Sequence, residues 1–166
     1  MKIVISPDSF IECLPVWKVA EALAIGWRKV LPGSQLVCLP VADGGEGTLE
    51  TLIHATDGTF YTKKVTGPLG ESIHAQYGIL GNQTTAVIEL AQASGLELVS
   101  PVLRSPLYTT SFGTGELILA ALEHNIDTVI LCLGGSATND GGIGLMSALG
   151  ASFTDAEGLS VSVNGM

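Results

Sequence analysis

Two short apolar runs on either side of an amphipathic segment constrain the fold of this chain more than any other feature. The first run, KIVIS at residues 2–6, is β-branched and typical of a buried strand, and QLVCLPV at residues 35–41 predicts a second strand. Residues 16–31 between them carry apolar side chains at helical spacing, and Pro32-Gly33 ends that segment. A strand, a helix and a strand in this order predict a parallel βαβ unit with a right-handed crossover.

The pattern changes near residue 60. A glycine cluster at 44–47 opens a second helix that stops near residue 57, and alternating apolar residues then predict an antiparallel meander. The meander strands are 61–66, 72–80 and 84–90, followed by a helix at 113–124, a buried strand at 127–133 and a helix at 142–150. These segments predict an α/β protein in which a second subdomain begins near residue 60.

Composition and charge exclude several classes of protein. The 166 residues carry a formal net charge of −9 with only seven Lys and Arg, so a surface that binds nucleic acid is not expected. No apolar run approaches the ~18 residues that span a bilayer, and MKIVISPDS turns polar too early for a signal peptide. Cys13, Cys38 and Cys132 lie far apart among apolar residues, which predicts buried free thiols. We therefore expect a cytoplasmic protein.

Three loops that combine acidic residues with small ones each follow a predicted strand. They are SPDSF at 6–10, VADGGEGT at 41–48 and GGSATNDGG at 134–142. In open α/β sheets, ligands bind beyond the carboxyl ends of the strands, and glycine lets backbone N–H groups approach an anion closely. None of the loops matches a Walker motif or a dinucleotide fingerprint. They therefore predict a ligand site of a different kind.

The aspartates of these loops, Asp8, Asp43 and Asp140, suggest what that site could do. Carboxylates suit a Mg²⁺ ion that bridges phosphates, and an aspartate can also accept the proton of a substrate hydroxyl. The structural alternative is that Asp43 and Asp140 cap the helices that follow them. Glu89, at the end of the strand TTAVIEL, is either exposed or directed into the same crevice. The residues themselves leave these alternatives open.

Six motifs in a fixed order carry a family resemblance. In chain order they are PDSF, PVADGGEGT, VTGPLGE, IELAQASGL, SFGTGELI and GGSATNDGG. From residue 1 to about residue 158 the chain resembles the amino-terminal part of bacterial glycerate kinases of the type-1 family. The resemblance implies an α/β enzyme with a Rossmann-like first domain, represented here by residues 1–60, and an inserted second α/β domain, represented in part by residues 61–166. It also implies phosphoryl transfer from ATP to D-glycerate with Mg²⁺, giving 2-phosphoglycerate rather than 3-phosphoglycerate.

The resemblance further implies which residues face the cleft between the domains. Catalysis is assigned to Asp8, Asp43 and Asp140, and Asp43, Glu46 and Asp140 are the candidate ligands of Mg²⁺. Substrate or nucleotide binding is assigned to Ser9, Gly44, Gly45, Glu46, Arg104, Gly134, Gly135, Ser136 and Asn139. Arg104 lies in RSPL, which corresponds to RNPL in the family, and either binds an anion or is a solvated loop residue.

Two departures from the family pattern support an alternative function. The family motif PDSFKESL reads PDSFIECL here, so Ile11 replaces a lysine, a change that could cost roughly 10²–10³ in rate if the lysine stabilises charge. Family members are also more than twice as long, so a truncated form is expected, with a strand edge left for a second copy or a complementing second half. The alternative is therefore a relative that binds a small carboxylate, a nucleotide or a partner chain without turnover.

Overall fold

The computed structural model describes residues 1–8, 10 and 13–161 and contains two sheets. In the first sheet, β1 (Lys2–Ile5) pairs in parallel with β2 (Gln35–Cys38), and α1 (Val16–Val30) connects them. The second sheet has four strands in chain order: β3 (Thr59–Thr66), β4 (Ser72–Ile79), β5 (Thr85–Glu89) and β6 (Thr128–Cys132). The remaining elements are α2 (Thr48–Ala55), α3 (Ala91–Ser94), α4 (Phe112–Leu122), α5 (Ile143–Ala148) and two 3₁₀ turns, Leu96–Leu98 and Pro101–Leu103.

The sheets have the strand directions that the sequence predicts. β3, β4 and β5 form the antiparallel meander, whereas β5 and β6 pair in parallel after a crossover that contains α4. The α/β fold class is therefore confirmed, with a parallel βαβ portion followed by a mixed sheet. The sequence pattern did not predict α3 or the two 3₁₀ turns. The division of the chain into domains at residue 60 stays a prediction.

The four-stranded sheet is covered by helices on both faces, which explains why β5 is buried along its whole length. On one face, Ala86 and Ile88 belong to a cluster that includes Leu117 of α4. On the other face, Val87 packs with Leu49 and Ile53 of α2. Side chains alternate along a strand, so Glu89 lies on the α2 face together with Val87. This alternation directs the last side chain of β5 toward the start of α2.

Two strands that the sequence predicts to be buried are only partly so. In β1, Ile5 packs against α1, but Val4 on the opposite face is 53% exposed. In β6, Cys132 is buried beneath α2, but Ile130 is 37% exposed. In β1 the face opposite α1 is exposed, whereas in the edge strand β6 Ile130 lies on the same face as Cys132, so α2 covers that face only in part.

The cysteines are free thiols, as predicted, but they are not all buried. Cys132 is buried and Cys38 is half-buried, whereas Cys13 is exposed in the turn before α1. None of the helices within residues 13–161 is both long enough and apolar enough to cross a membrane.

Candidate functional site

Two of the predicted loops pack directly against each other at their glycines. We call residues 43–47 the first glycine loop and residues 134–142 the second. The N–H of Gly134 donates a hydrogen bond of 2.8 Å to the carbonyl of Gly44. A Cβ atom on Gly134 would collide with the Cα of Gly45, and one on Gly135 would lie 2.6 Å from Glu46 Oε1. The loops therefore approach more closely than any side chain at position 134 would allow, whereas at position 135 the Glu46 side chain would have to move.

In the first glycine loop, Asp43 organises the turn rather than the helix. Its Oδ1 accepts a 2.8 Å hydrogen bond from the N–H of Gly45, and the side chain is exposed. Helix α2 instead has Gly47 in the left-handed conformation as its N-cap, with no capping hydrogen bond from the side chain of the cap residue. The alternative in which Asp43 caps this helix is therefore wrong, and the catalytic role of Asp43 stays a prediction.

In the second glycine loop, Asp140 connects two helix N-termini. Only 6% of the residue is exposed, and its carboxylate accepts hydrogen bonds from the N–H and Oγ of Ser111, which precedes α4. The same carboxylate accepts from the N–H of Gly142 at 2.9 Å and of Gly144 at 3.3 Å, at the start of α5. These contacts match the capping alternative, and the catalytic role of Asp140 stays a prediction.

The rest of the second glycine loop is fixed by backbone contacts to the end of α3 and to the residues just after it. The N–H of Leu96 donates to the carbonyl of Gly135 at 2.8 Å, and the N–H of Ala137 donates to the carbonyl of Ser94, the last residue of α3, at 2.9 Å. Ser136 is exposed and its Oγ accepts from the N–H of Thr138 at 3.1 Å. Asn139 is also exposed. Hydrogen bonds therefore fix the backbone of the second glycine loop, and the side chains of Ser136 and Asn139 are exposed to solvent.

The other predicted residues lie around these loops. Asp8 is half-buried, and the N–H of Val41 donates to the carbonyl of Pro7 at 3.0 Å, so the loop that contains Asp8 runs beside the segment leading to Asp43. Arg104 donates from Nε to the carbonyl of Val99 at 3.1 Å. Ser9 and Ile11 lie outside the described residues. The predicted contributions of Asp8, Ser9 and Arg104 to a site stay predictions.

A cleft of about 920 Å³ opens beside the first glycine loop. Among the predicted site residues that the structure describes, its lining contains only Glu46, so Asp8, Asp43 and Asp140 do not line it. Its apolar wall includes Phe10, Leu14, Phe60 and Leu98, and its polar wall includes Glu46, Glu50, Glu89, Glu97, His54, His74, Gln76 and Gln92. None of the described lining residues is Lys or Arg, so this surface by itself repels anions.

Glu89 is a functional candidate that the sequence left undecided between solvent and crevice. The structure places it in the cleft wall with only 1% of its surface exposed. Its Oε2 accepts a 2.9 Å hydrogen bond from the N–H of Leu49 in the first turn of α2. Burial raises the pKa of this carboxyl, and the hydrogen bonds from Leu49, Gln92 and Gly47 oppose that rise. The signal in the sequence was a carboxylate at the end of an otherwise apolar strand.

The donor set fits a metal only in part. Among residues 1–8, 10 and 13–161, no group of three or more His, Cys, Asp or Glu side chains could hold a metal ion together. Asp140 already accepts hydrogen bonds from Ser111, Gly142 and Gly144. Asp43 is exposed and belongs to the same loop as Glu46, and Mg²⁺ in nucleotide sites commonly uses one or two carboxylates together with phosphate oxygens. The chain therefore fits a Mg²⁺ ion that arrives with a nucleotide better than a resident ion.

Comparison with known proteins gives consistent matches. The model of the glycerate kinase family matches residues 3–166. The chain is 54% identical over 165 residues to glycerate 2-kinase of Escherichia coli K12 and 51% identical over 165 residues to glycerate kinase of Bacillus subtilis 168. Each alignment covers 99% of this chain but 43% of the relative. The crystal structure of a Salmonella typhimurium LT2 protein named glycerate kinase 2 superposes with a TM-score of 0.78 at 50% identity, covering 99% of this chain and 44% of that one. The chain thus spans less than half the length of these relatives.

Proposed function

Because the chain belongs to the glycerate kinase family, we propose that it contributes the glycine loops of a site that transfers a phosphoryl group from ATP to D-glycerate. The observation that carries this proposal is the 54% identity to glycerate 2-kinase of Escherichia coli K12, which extends over 165 residues and so includes all three acidic loops. We further propose 2-phosphoglycerate as the product, in keeping with the name of that relative.

The packing of the two glycine loops supports a role in phosphate binding. Backbone N–H groups in glycine-rich turns can lie close to phosphate oxygens because no Cβ blocks the approach. Gly44 and Gly135 both adopt positive φ angles, of 94° and 70°. We propose that the first glycine loop and Ser136 contact the phosphates and that Asn139 and Arg104 contact the substrate.

The acidic residues are proposed to act on the metal and on the acceptor hydroxyl. Mg²⁺, when bound, would neutralise charge on the transferring phosphoryl group, which matters here because the described cleft wall carries no Lys or Arg. Asp43 and Glu46 would hold it, since both lie in the first glycine loop. Asp8 or Asp43 would accept the proton of the glycerate hydroxyl, because both lie on the segments that leave the carboxyl ends of β1 and β2.

An assay of ADP release with D-glycerate and MgATP tests this proposal. We would measure this chain alone and a chimera in which it replaces the matching amino-terminal part of the Escherichia coli relative. We expect turnover in the chimera, at least roughly 10²-fold slower when Asp43 is changed to Asn. ³¹P NMR of the product distinguishes 2-phosphoglycerate from 3-phosphoglycerate. No turnover in the chimera together with no MgATP binding would contradict the proposal.

The departure at Ile11 favours a second candidate, a family member that binds without turnover. An Ile11→Lys variant of the same chimera separates the two candidates, because a restored cation should raise turnover only if its absence limits the reaction. Binding of MgATP without turnover in either version would favour the second candidate. Turnover that is equal with Ile11 and with lysine would show that this position does not limit the reaction.

A further inference from the structure

We propose that Glu89 is a positioning residue that holds the first glycine loop in place for phosphoryl transfer, an inference that rests on the proposed function. Glu89 comes from β5, whereas its hydrogen-bond partner Leu49 lies 40 positions earlier in the chain, in the first turn of the helix that follows the loop. None of the sequence motifs placed this side chain next to that loop. The contact arises only from the packing of α2 on the four-stranded sheet.

The first turn of α2 lacks the usual source of a capping acceptor. Helix N-termini leave N–H groups without partners inside the helix, and these are usually satisfied by a Ser, Thr, Asp or Asn side chain at the N-cap. Here the N-cap is Gly47, which has no side chain to offer. Glu89, at the end of strand β5, supplies the acceptor instead. Its carboxylate accepts a 2.9 Å hydrogen bond from the N–H of Leu49 and also interacts with the N–H of Gly47.

Because Glu89 is buried, its hydrogen bonds with the start of α2 fix where this helix begins relative to β5. Glu89 is 1% exposed, so water cannot replace the N–H groups that donate hydrogen bonds to its carboxylate. The side chain of Gln92 supplies a further hydrogen bond from the segment after β5. A negative group at the N-terminal end of α2 also interacts favourably with the helix dipole. Moving the start of α2 away from β5 would therefore take the N–H donors of Gly47 and Leu49 away from a buried carboxylate.

Both glycine loops depend on the end of β5. In the β5–β6 ladder Glu89 is paired with Cys132, and the second glycine loop begins two residues after Cys132. The N–H of Leu90 donates to the carbonyl of Cys132 at 2.9 Å, which ties the two strand ends together. Since Gly134 in turn contacts Gly44, the position of α2 relative to Glu89 sets how the loops meet. Glu89 therefore acts on the site through the backbone.

Hydrogen exchange followed by mass spectrometry tests the contact without requiring activity. We would compare the full chain with Glu89→Leu, which removes the acceptor, and Glu89→Gln, which keeps an amide oxygen. We expect exchange of residues 43–49 to be roughly tenfold faster or more in the Leu variant, and to return most of the way in the Gln variant. Exchange within α4 serves as the internal reference, and Glu21→Gln on the exposed face of α1 is the matched control.

Unchanged exchange at residues 43–49 in the Leu variant, or equal acceleration throughout the chain, would overturn the proposal. If the Leu variant does not fold, the Gln variant still tests the contact, because the weaker neutral acceptor should speed exchange in this segment alone. In the chimera with turnover, we expect Glu89→Gln to lower kcat while leaving KM for D-glycerate within about twofold. An unchanged kcat would overturn the positioning role. Absence of turnover in the unsubstituted chimera would instead count against the proposed function, and the exchange data would still decide the contact.

Discussion

Replacing Gly134 with alanine places a methyl group where the two glycine loops touch. The new Cβ would collide with the Cα of Gly45 and lie 2.8 Å from the N of Gly45 and 3.0 Å from the carbonyl oxygen of Gly44. All three are backbone atoms, so no side chain can rotate away to make room. The backbone at Gly134 is outside the left-handed region, so any loss of stability comes from this contact rather than from φ.

The expected cost follows from two losses and one gain. Overpacking of this kind costs about 1–3 kcal/mol, and separating the loops weakens the hydrogen bond from Gly134 to Gly44, worth about 1 kcal/mol. Alanine also restricts the unfolded chain, which returns about 0.4–1 kcal/mol. We therefore expect the free energy of unfolding to fall by about 1–3.6 kcal/mol.

Urea denaturation followed by far-UV circular dichroism measures this change, with Gly33→Ala as the matched control. A Cβ on Gly33 meets no atom within 4 Å, and its φ is not in the left-handed region. The control should therefore be neutral or more stable by up to about 1 kcal/mol. If the free energies of unfolding of Gly134→Ala and Gly33→Ala differed by less than about 0.5 kcal/mol, the close approach of the loops would be refuted.

Three further substitutions test other parts of the structure. Gly26→Ala, in the middle of α1 with nothing within 4 Å of the new Cβ, should raise the free energy of unfolding by about 0.5–1 kcal/mol in the same urea experiment, and a decrease would contradict a helix there. Asp140→Asn keeps the shape of the side chain but removes the charge that Ser111 and two glycine N–H groups contact, so it should lower the free energy of unfolding by about 2–3 kcal/mol. The control Asp155→Asn, in an exposed turn, should lower it by less than about 0.5 kcal/mol. Equal effects would contradict the role of Asp140 in capping two helices. Because burial raises the pKa of Glu89, the folded protein binds the proton of this carboxyl more tightly than the unfolded chain does. The stability of the unsubstituted protein relative to Glu89→Gln should therefore fall as the pH rises from the ordinary glutamate pKa to the raised pKa, and then level off. A constant difference in stability between pH 4 and pH 8 would contradict the raised pKa.

The order and type of the elements were predictable because they depend on nearby residues. The alternation in residues 72–80 reports one buried face, and Ala75, Tyr77 and Ile79 are indeed buried in β4. The burial of β1 and β6 was not predictable in the same way. Apolar side chains on both faces predicted two-sided cover, yet Val4 and Ile130 remain partly exposed because cover depends on which elements lie across the sheet.

The candidate site, too, was predictable from the sequence only in part. From the residues alone one can see that acidic glycine loops follow strands, because each motif and the strand before it are neighbours in the sequence. The sequence could not say which carboxylates would be held by backbone donors. Asp43 and Asp140 occupy similar contexts in the chain, yet one is exposed in a turn and the other is buried between two helix ends.

The sequence by itself therefore determined the α/β class, the family and the presence of acidic glycine loops after strands. The tertiary structure alone decided which distant donors the buried carboxylates meet, because those donors lie far away along the chain. Asp140 meets Ser111 across 29 positions, and Glu89 meets Leu49 across 40. Propensity and periodicity report on a few residues at a time, whereas the donors available to a buried carboxylate depend on how helices pack on the sheet.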